Sequence, residues 1–255
     1  MKIIFIGAGN LATQLSKNLQ NKGFEIIQIY SRSENSAKKL AGCLSTNFTT
    51  DLNFVFQNAD LYFITVNDLT ISEIVQNKNL NNKFLVHCAG SVDINVFENF
   101  TSNFGVFYPL QTFSKLNDVD FIEIPICVEA NTLNNLQILK NIATKISNQV
   151  YDINSEQRKY IHLAAVFANN FSTHFINISK KILDDKNIDS KILYSLINET
   201  IENAFLSNNQ IFQTGPAARG DINVVNSHLK LLKDYPKFEK LYRFVSKNIN
   251  EILDI

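Results

Sequence analysis

The first twelve residues constrain the fold of this chain more than any other segment. Residues 3–6 are all apolar, as expected for a central strand of a parallel sheet whose two faces are both covered. This strand leads directly into a turn with the spacing G-x-G-x-x-A, formed by Gly7, Gly9 and Ala12. A hydrophobic strand, this turn and a following helix together predict a dinucleotide-binding fold.

Each position of the turn has its own role in holding a pyrophosphate group. Gly7 permits the tight turn, and Gly9 lets the pyrophosphate approach the backbone without a Cβ atom in the way. At Ala12 the helix packs closely against the strand. Because the first N–H groups of a helix have no partner within it, we expect those around Asn10 and Leu11 to face the pyrophosphate.

The composition argues against several classes of partner. The 255 residues include 24 basic and 24 acidic side chains, so no large field favours nucleic acid or an anionic membrane. No segment approaches the roughly 20 apolar residues needed to span a bilayer, and Met1 directly precedes the first strand, which leaves no room for a signal peptide. The three cysteines lack C-x-x-C spacing and indicate neither a disulfide framework nor a metal site. We expect a cytoplasmic enzyme with a small-molecule substrate.

Residues 1–153 alternate short apolar runs with helical stretches, a pattern typical of βαβ units and a parallel sheet. The predicted strands cover residues 2–6, 25–30, 61–66, 84–87, 104–107, 124–129 and 150–153, and a covering helix spans residues 131–147. We therefore predict an N-terminal α/β domain with a doubly wound Rossmann sheet.

After Asn154 the apolar residues recur at intervals of three and four, which predicts an all-α domain over residues 154–255. Its first helix is expected to start at Ser155, without a strict capping box, and to run to about Leu183. A second helix is expected over residues 189–208. A third is capped by Asp221 or Asn223, and a fourth has Pro236 in its first turn.

The end of the second strand indicates which nicotinamide cofactor is used. An acidic residue there selects NAD by binding the ribose 2′-hydroxyl, but this segment reads Ser31-Arg32-Ser33. The guanidinium of Arg32 can pair with a 2′-phosphate, and the two serines add hydroxyl donors, which favours NADP. Alternatively, Arg32 is a solvated residue at the start of the next helix.

Further ligand contacts are expected where other strands end, because doubly wound folds bind ligands beyond the carboxyl ends of their strands. Val66 and Asn67 follow the strand over residues 61–66, and His87 and Gly90 lie at the end of the strand over residues 84–87. We include all four in the predicted cofactor site. For His87 a purely structural role is the alternative.

Four polar residues of the helical region are candidates for catalysis. His162 is the leading proton donor, because a histidine side chain titrates near neutral pH; a core histidine bonded to a backbone carbonyl is the alternative. Asn169, which shares a predicted helix face with His162, and Asn170 lie in mid-helix, where asparagine is unfavourable, and this indicates a function for one of them. Arg219 can hold a substrate carboxylate bidentately or form an ion pair at an interface or helix end.

Five segments carry a resemblance to a known family: residues 7–12, 85–91, 105–114, 162–170 and 214–221. Together they resemble the bacterial Rossmann-like oxidoreductases with a helical C-terminal domain of unknown function, over nearly the whole chain. The resemblance implies a relative of pyrroline-5-carboxylate reductase, with a C-terminal domain like that of 6-phosphogluconate dehydrogenase and a homodimer formed through that domain. Some members of the family resemble a ketopantoate reductase of pantothenate synthesis.

The resemblance also implies membership of the 6-phosphogluconate dehydrogenase superfamily, and one departure from that superfamily affects the chemistry. Its hydroxyacid dehydrogenases place a lysine, the proton donor, four residues before an asparagine on the first long helix. Here Val166 precedes Asn170 and Ala165 precedes Asn169 at that spacing. Either His162 replaces the lysine one turn earlier, or the proton donor lies elsewhere.

Three functions remain open from the sequence. The first is an NADPH-dependent reductase of a small 2-oxo acid, with ketopantoate as the best candidate. The second is an imine reductase of the pyrroline-5-carboxylate type, in which the substrate nitrogen can arrive protonated and no strong acid is needed. The third is a protein that binds NADPH without catalysis.

Overall fold

Two compact units, Met1–Phe167 and Ala168–Ile255, make up the fold in a computed structural model that describes residues 1–115, 117–206 and 213–253. The first unit contains an eight-stranded sheet with helices on both faces. In the second unit, the described residues form helices and loops. The predicted architecture of a Rossmann sheet followed by a helical region is confirmed.

The sheet has the strand order β3-β2-β1-β4-β5-β6-β7-β8. Its strands are β1 (Lys2–Ile6), β2 (Glu25–Tyr30), β3 (Asn47–Thr49), β4 (Leu61–Ile64), β5 (Phe84–His87), β6 (Asn103–Pro109), β7 (Ile126–Ala130) and β8 (Val150–Asp152). The first six strands follow the doubly wound order 3-2-1-4-5-6, in which the chain reverses direction across the sheet between β1 and β4. The carboxyl ends of these two strands are therefore where a dinucleotide is expected to bind.

Two features of the sheet differ from the sequence prediction. Strand β3 has three residues, which is too short for its alternation to be recognised, and it was missed. Strands β6 and β7 pair antiparallel, although a fully parallel sheet was expected. Parallel neighbours need a crossover, usually a helix, whereas the described residues between β6 and β7 contain none.

Both faces of the central strands are buried, as the apolar run in β1 predicts. Ile3 and Phe5 belong to a hydrophobic cluster on one face, and Ile4 and Ile6 belong to a second cluster on the other. The covering helices of this unit are α1 (Asn10–Asn21), α2 (Glu34–Leu44), α3 (Asp68–Ile74), α4 (Leu133–Ile146) and α5 (Ser155–Ala165).

Helix α5 starts with a capping box that the sequence analysis did not find, because it tested Ser155 and not Asn154 as the first position. The Asn154 side chain accepts a hydrogen bond from the Gln157 N–H, and the Gln157 side chain accepts one from the Asn154 N–H. The usual capping box has serine or threonine in the first position and glutamate or glutamine three residues later, and here asparagine takes the first position. Farther along α5, the buried Arg158 donates to Glu129 of β7 at 2.5 Å. These contacts join α5 to the sheet, and the first compact unit extends to Phe167. The domain boundary at residue 153 stays a prediction.

The helical segment predicted as one helix over residues 155–183 contains a π-helical stretch, Val166–Phe171, followed by α6 (Ser172–Asp184). The later helices are α7 (Tyr194–Leu206), α8 (Ile222–Leu231) and α9 (Pro236–Leu253). Of the two predicted caps, Asp221 and not Asn223 caps α8, and Pro236 begins α9 as predicted. The predicted end of the second helix at Asn208 lies outside the described residues. Within the described part of the chain, every helix is too short or too polar to cross a membrane.

Candidate active site

A cleft of about 330 Å³ lies at the carboxyl ends of β1, β2 and β4. It brings together most of the residues predicted to bind the cofactor: Gly7, Gly9, Ser31, Arg32, Ser33, Val66 and Asn67. These residues come from three separate loops of the sequence. Their convergence follows from the strand order, because β2, β1 and β4 are direct neighbours in the sheet.

The glycine turn has the geometry that a bound pyrophosphate requires. Gly7 has φ +129°, and a Cβ atom there would lie 2.6 Å from the carbonyl oxygen of Thr65, so only glycine fits. At Gly9 an added Cβ would have no atom within 4 Å, which leaves space beside the backbone. Gly9 is also the N-cap of α1. Because glycine has no side chain that could accept from the first N–H groups of the helix, these groups remain available to an anion.

The loop after β2 presents hydroxyl groups and one cation to the cleft. The Ser31 hydroxyl oxygen accepts from the Ser33 N–H, and the Ser33 hydroxyl oxygen accepts from the Ser36 N–H at the start of α2. Each hydroxyl therefore keeps its own hydrogen for donation to a ligand. Arg32 is exposed and lines the cleft between them.

The cleft carries positive charge without a compensating carboxylate. Its described lining residues include two cations, Arg32 and Lys115, and no Asp or Glu. Lys115 comes from the segment between β6 and β7, and its ammonium donates to the carbonyl oxygen of Ala8 at 2.7 Å. The sequence analysis missed Lys115. An anionic ligand fits this lining better than a neutral or cationic one.

Asn10 and Leu11, both predicted to bind the cofactor, have side chains that face away from the cleft. The Asn10 side-chain amide donates to the carbonyl oxygen of Phe113 at 2.9 Å, and Leu11 packs against the hydrophobic core. Neither side chain lines the cleft. Their N–H groups, in the first turn of α1, are the atoms through which the predicted pyrophosphate contact can be made.

His162 lies at the carboxyl ends of β5 and β6. It is half-buried, and its Nδ1 atom lies 3.0 Å from the Tyr108 hydroxyl. The ring also packs directly on Gly90, where an added Cβ would lie 2.6 Å from Nδ1. The imidazole thus contacts a strand residue and a loop glycine near Nδ1, and Nε2 is the ring nitrogen that remains for a ligand.

Tyr108, the hydrogen-bond partner of this imidazole, has a hydroxyl group that stays protonated. Burial raises the pKa of Tyr108 to about 12, so its hydroxyl keeps its proton at neutral pH. The loops after β4 and β5 are also joined in this region, because the Ser91 hydroxyl donates to the Asp68 carboxylate. A Cβ added at Gly90, which was predicted as a cofactor residue, would collide with the candidate catalytic histidine.

The structure corrects the prediction that the His87 side chain contacts the cofactor. His87 is fully buried in the core, beside Phe97, and its Nδ1 accepts from the Ala89 N–H at 3.1 Å. Burial, with a smaller effect of Arg158, lowers the pKa of His87 to about 3. The side chain is neutral and enclosed, so we omit it from the cofactor site and favour the structural role.

The other three catalytic candidates belong to the second unit. Asn169 and Asn170 are exposed in the π-helical stretch, with the Asn169 amide 3.4 Å from the Asn170 side-chain oxygen. The face that the sequence analysis assigned to His162 and Asn169 assumed an uninterrupted α-helical period, which the π-helical stretch does not keep. Arg219 is exposed in the loop before α8.

Comparison with known proteins places this arrangement in a family. Residues 2–90 match a family model described as NADP oxidoreductase coenzyme F420-dependent, and residues 124–249 match a domain of unknown function, DUF2520. A candidate NADP oxidoreductase from Bacteroides fragilis is 43% identical in sequence, with 98% of each chain covered and a TM-score of 0.89. The chain belongs to this family of Rossmann-like NADP oxidoreductases.

More distant solved structures share the fold. A 1-pyrroline-5-carboxylate reductase from Streptococcus pyogenes is 14% identical, with 98% of each chain covered and a TM-score of 0.64. An imine reductase from Myxococcus stipitatus, in complex with NADP⁺, is 11% identical, covers 100% of this chain and 93% of its own, and has a TM-score of 0.69. No curated protein matches the chain.

NADP is the cofactor of this oxidoreductase family, and the cleft fits that cofactor. The missing Cβ at Gly7, the open space at Gly9 and the uncapped start of α1 suit a pyrophosphate. Arg32, with no Asp or Glu among the described lining residues, suits the additional phosphate that distinguishes NADP from NAD. Within the described residues, no group of three His, Cys, Asp or Glu side chains is placed to hold a metal ion.

Proposed function

We propose that this oxidoreductase uses NADPH to reduce the carbonyl group of a small 2-oxo acid, with ketopantoate as the best candidate and pantoate as its product. The observation that carries the proposal is the His162 imidazole, held by Gly90 and Tyr108 at strand ends adjacent to the cofactor cleft. When bound, NADPH supplies the hydride. A group that donates a proton to the developing oxyanion must then be present, and His162 is suited to this role.

The cofactor contacts in the proposal come from three loops. Gly7, Gly9 and the N–H groups of Asn10 and Leu11 receive the pyrophosphate. Ser31, Arg32 and Ser33 bind the 2′-phosphate, and Val66 and Asn67, which also line the cleft, contact the cofactor from the loop after β4.

The proton comes from the protonated form of His162, in which both ring nitrogens donate. Nδ1–H donates to the Tyr108 oxygen and holds the ring in place, while Nε2–H gives its proton to the substrate oxygen. Tyr108 retains its own proton throughout, consistent with its raised pKa. From the sequence alone, Asn169 or Asn170 remains our candidate for holding the substrate oxygen, and Arg219 our candidate for binding the carboxylate. We further propose a cytoplasmic homodimer formed through the helical domain.

The variant His162→Gln tests the proposed proton donor. We expect the kcat for ketopantoate reduction to fall about 100-fold or more, because general acid catalysis typically contributes that much, while the Kd for NADPH is unchanged. His228→Gln is a matched control, because His228 forms a similar pair with Tyr242 in the second unit, 2.9 Å from its hydroxyl. An unchanged kcat in His162→Gln would remove His162 from the mechanism.

Imine reduction is the second candidate function. It is favoured by the shared fold with pyrroline-5-carboxylate and imine reductases, and by Val166 and Ala165 at the two positions where the superfamily lysine would stand. A protonated imine needs no acid from the protein, so His162→Gln would lower its reduction only slightly. Binding of NADPH without turnover of either substrate would favour a non-catalytic binding protein.

A further inference from the structure

The segment that connects β6 to β7 lies along the helix that begins at the glycine turn. Three side-chain amides of α1, spaced four residues apart and thus on one face, donate to its carbonyl oxygens: Asn10 to Phe113 at 2.9 Å, Gln14 to Ser114 at 2.6 Å and Asn18 to Val119 at 3.0 Å. In return, Gln14 accepts from the Val119 N–H at 3.2 Å. The segment is therefore fixed to α1 at three successive turns.

This attachment brings Lys115 to the glycine turn. Its Nζ atom lies 2.7 Å from the carbonyl oxygen of Ala8, between Gly7 and Gly9, and its side chain lines the cofactor cleft. An ammonium group has three N–H donors, so the bond to Ala8 leaves capacity for a phosphate oxygen.

We propose that Lys115 binds the pyrophosphate of the dinucleotide directly, as a second cation distinct from Arg32. Lys115 reaches the turn where the pyrophosphate of a dinucleotide lies, whereas Arg32 follows β2, where the adenosine ribose lies. The two cations therefore act on different phosphates. Lys115 strengthens binding of NADPH and NADH alike, and Arg32 distinguishes between them.

Lys17 provides a control that distinguishes phosphate binding by Lys115 from attachment of the β6–β7 segment to α1. Lys17 of α1 pairs with Asp118 at 2.7 Å and so also joins α1 to the segment, but it does not line the cleft. Removal of the Lys17 charge weakens the attachment and leaves the charge of the cleft unchanged.

The experiment measures the Kd values of NADPH and NADH by fluorescence titration, without substrate, for the variants Lys115→Gln, Lys115→Arg, Arg32→Gln and Lys17→Gln. We expect Lys115→Gln to weaken both nucleotides about tenfold, the effect of one lost charge-assisted hydrogen bond. Lys115→Arg keeps the charge and recovers most of the affinity. Arg32→Gln weakens NADPH alone, and Lys17→Gln changes neither Kd.

Three results would overturn the proposal. Unchanged Kd values in Lys115→Gln would mean that the ammonium does not reach the cofactor. A loss confined to NADPH would place Lys115 on the 2′-phosphate. An equal loss in Lys17→Gln would show that attachment of the segment, and not the charge of Lys115, determines binding. Since no substrate is present, none of these outcomes depends on the proposed reaction.

Discussion

Two histidines at the carboxyl edge of the sheet have opposite surroundings. His87, the last residue of β5, points into the core and is fully buried. His162 of α5 is half-buried against Gly90 and Tyr108. The sequence placed both near the predicted cofactor site, but it gave no means of telling which was enclosed. Burial depends on packing partners such as Phe97 and Tyr108, whose contacts with these histidines arise only in the folded chain.

The buried His87 makes stability depend on pH. Its pKa is about 3 in the folded protein, against an ordinary value of 6.5, so below pH 6.5 the unfolded chain binds a proton that the folded chain does not. Stability is therefore full above pH 6.5 and falls as the pH decreases toward 3. Between pH 7 and pH 5 we expect His87 to account for a loss of about 2 kcal/mol.

The variant His87→Asn checks this expectation by urea-induced unfolding at pH 7 and pH 5, followed by circular dichroism. Asparagine keeps an acceptor for the Ala89 N–H and removes the titrating ring. The free energy of unfolding should depend less on pH in the variant than in the wild type. Equal pH dependence in the two proteins would contradict the assignment.

Helix α5, which carries His162, is firmly attached to the sheet. Arg158, one turn before His162, is fully buried and donates to Glu129, to the Val92 carbonyl oxygen and to the Ser155 hydroxyl. The capping box fixes the start of the same helix. The position of His162 is thus determined by contacts with β7 and with the loop after β5.

Loss of the buried ion pair should destabilise the first unit. Glu129→Gln leaves the Arg158 charge buried without a full counter-charge, and we expect a loss of about 3 kcal/mol in the free energy of unfolding. The adjacent Lys159→Gln is the control, because its pair with Asp93 is exposed and is worth less than about 1 kcal/mol. The free energies of unfolding of both variants are measured by thermal or urea-induced unfolding. Similar losses in the two would contradict a special role for the buried pair.

Most helices and strands were predictable because their patterns are local. The apolar run of β1, the alternation of strands with helices, the cap at Asp221 and the helix start at Pro236 all depend on residues close together in sequence. The π-helical stretch could not be predicted, because its apolar residues also fit an ordinary α-helix. The antiparallel pairing of β6 and β7 depends on the path of the connecting segment, which shows no periodicity.

At the scale of the whole molecule, the cofactor cleft was predicted from three loops, and its second cation was missed. Gly7, Arg32 and Asn67 could be assigned because the doubly wound order places the ends of β1, β2 and β4 side by side. Lys115 contacts Ala8, which lies 107 residues earlier in the chain, and no motif links the two. That contact exists because amides of α1 fix the segment between β6 and β7, a pairing visible only in three dimensions.

NADPH-dependent reduction of a small 2-oxo acid by this protein can be observed by following the transferred hydrogen. The purified protein is incubated with ketopantoate and with NADPH in which both hydrogens on C4 of the nicotinamide ring are replaced by deuterium. The product is then examined by mass spectrometry. We predict pantoate with one deuterium on the carbon that bears the new hydroxyl group, formed at ordinary enzymatic rates. Protein that binds NADPH yet leaves both NADPH and ketopantoate unchanged would contradict the assignment of ketopantoate.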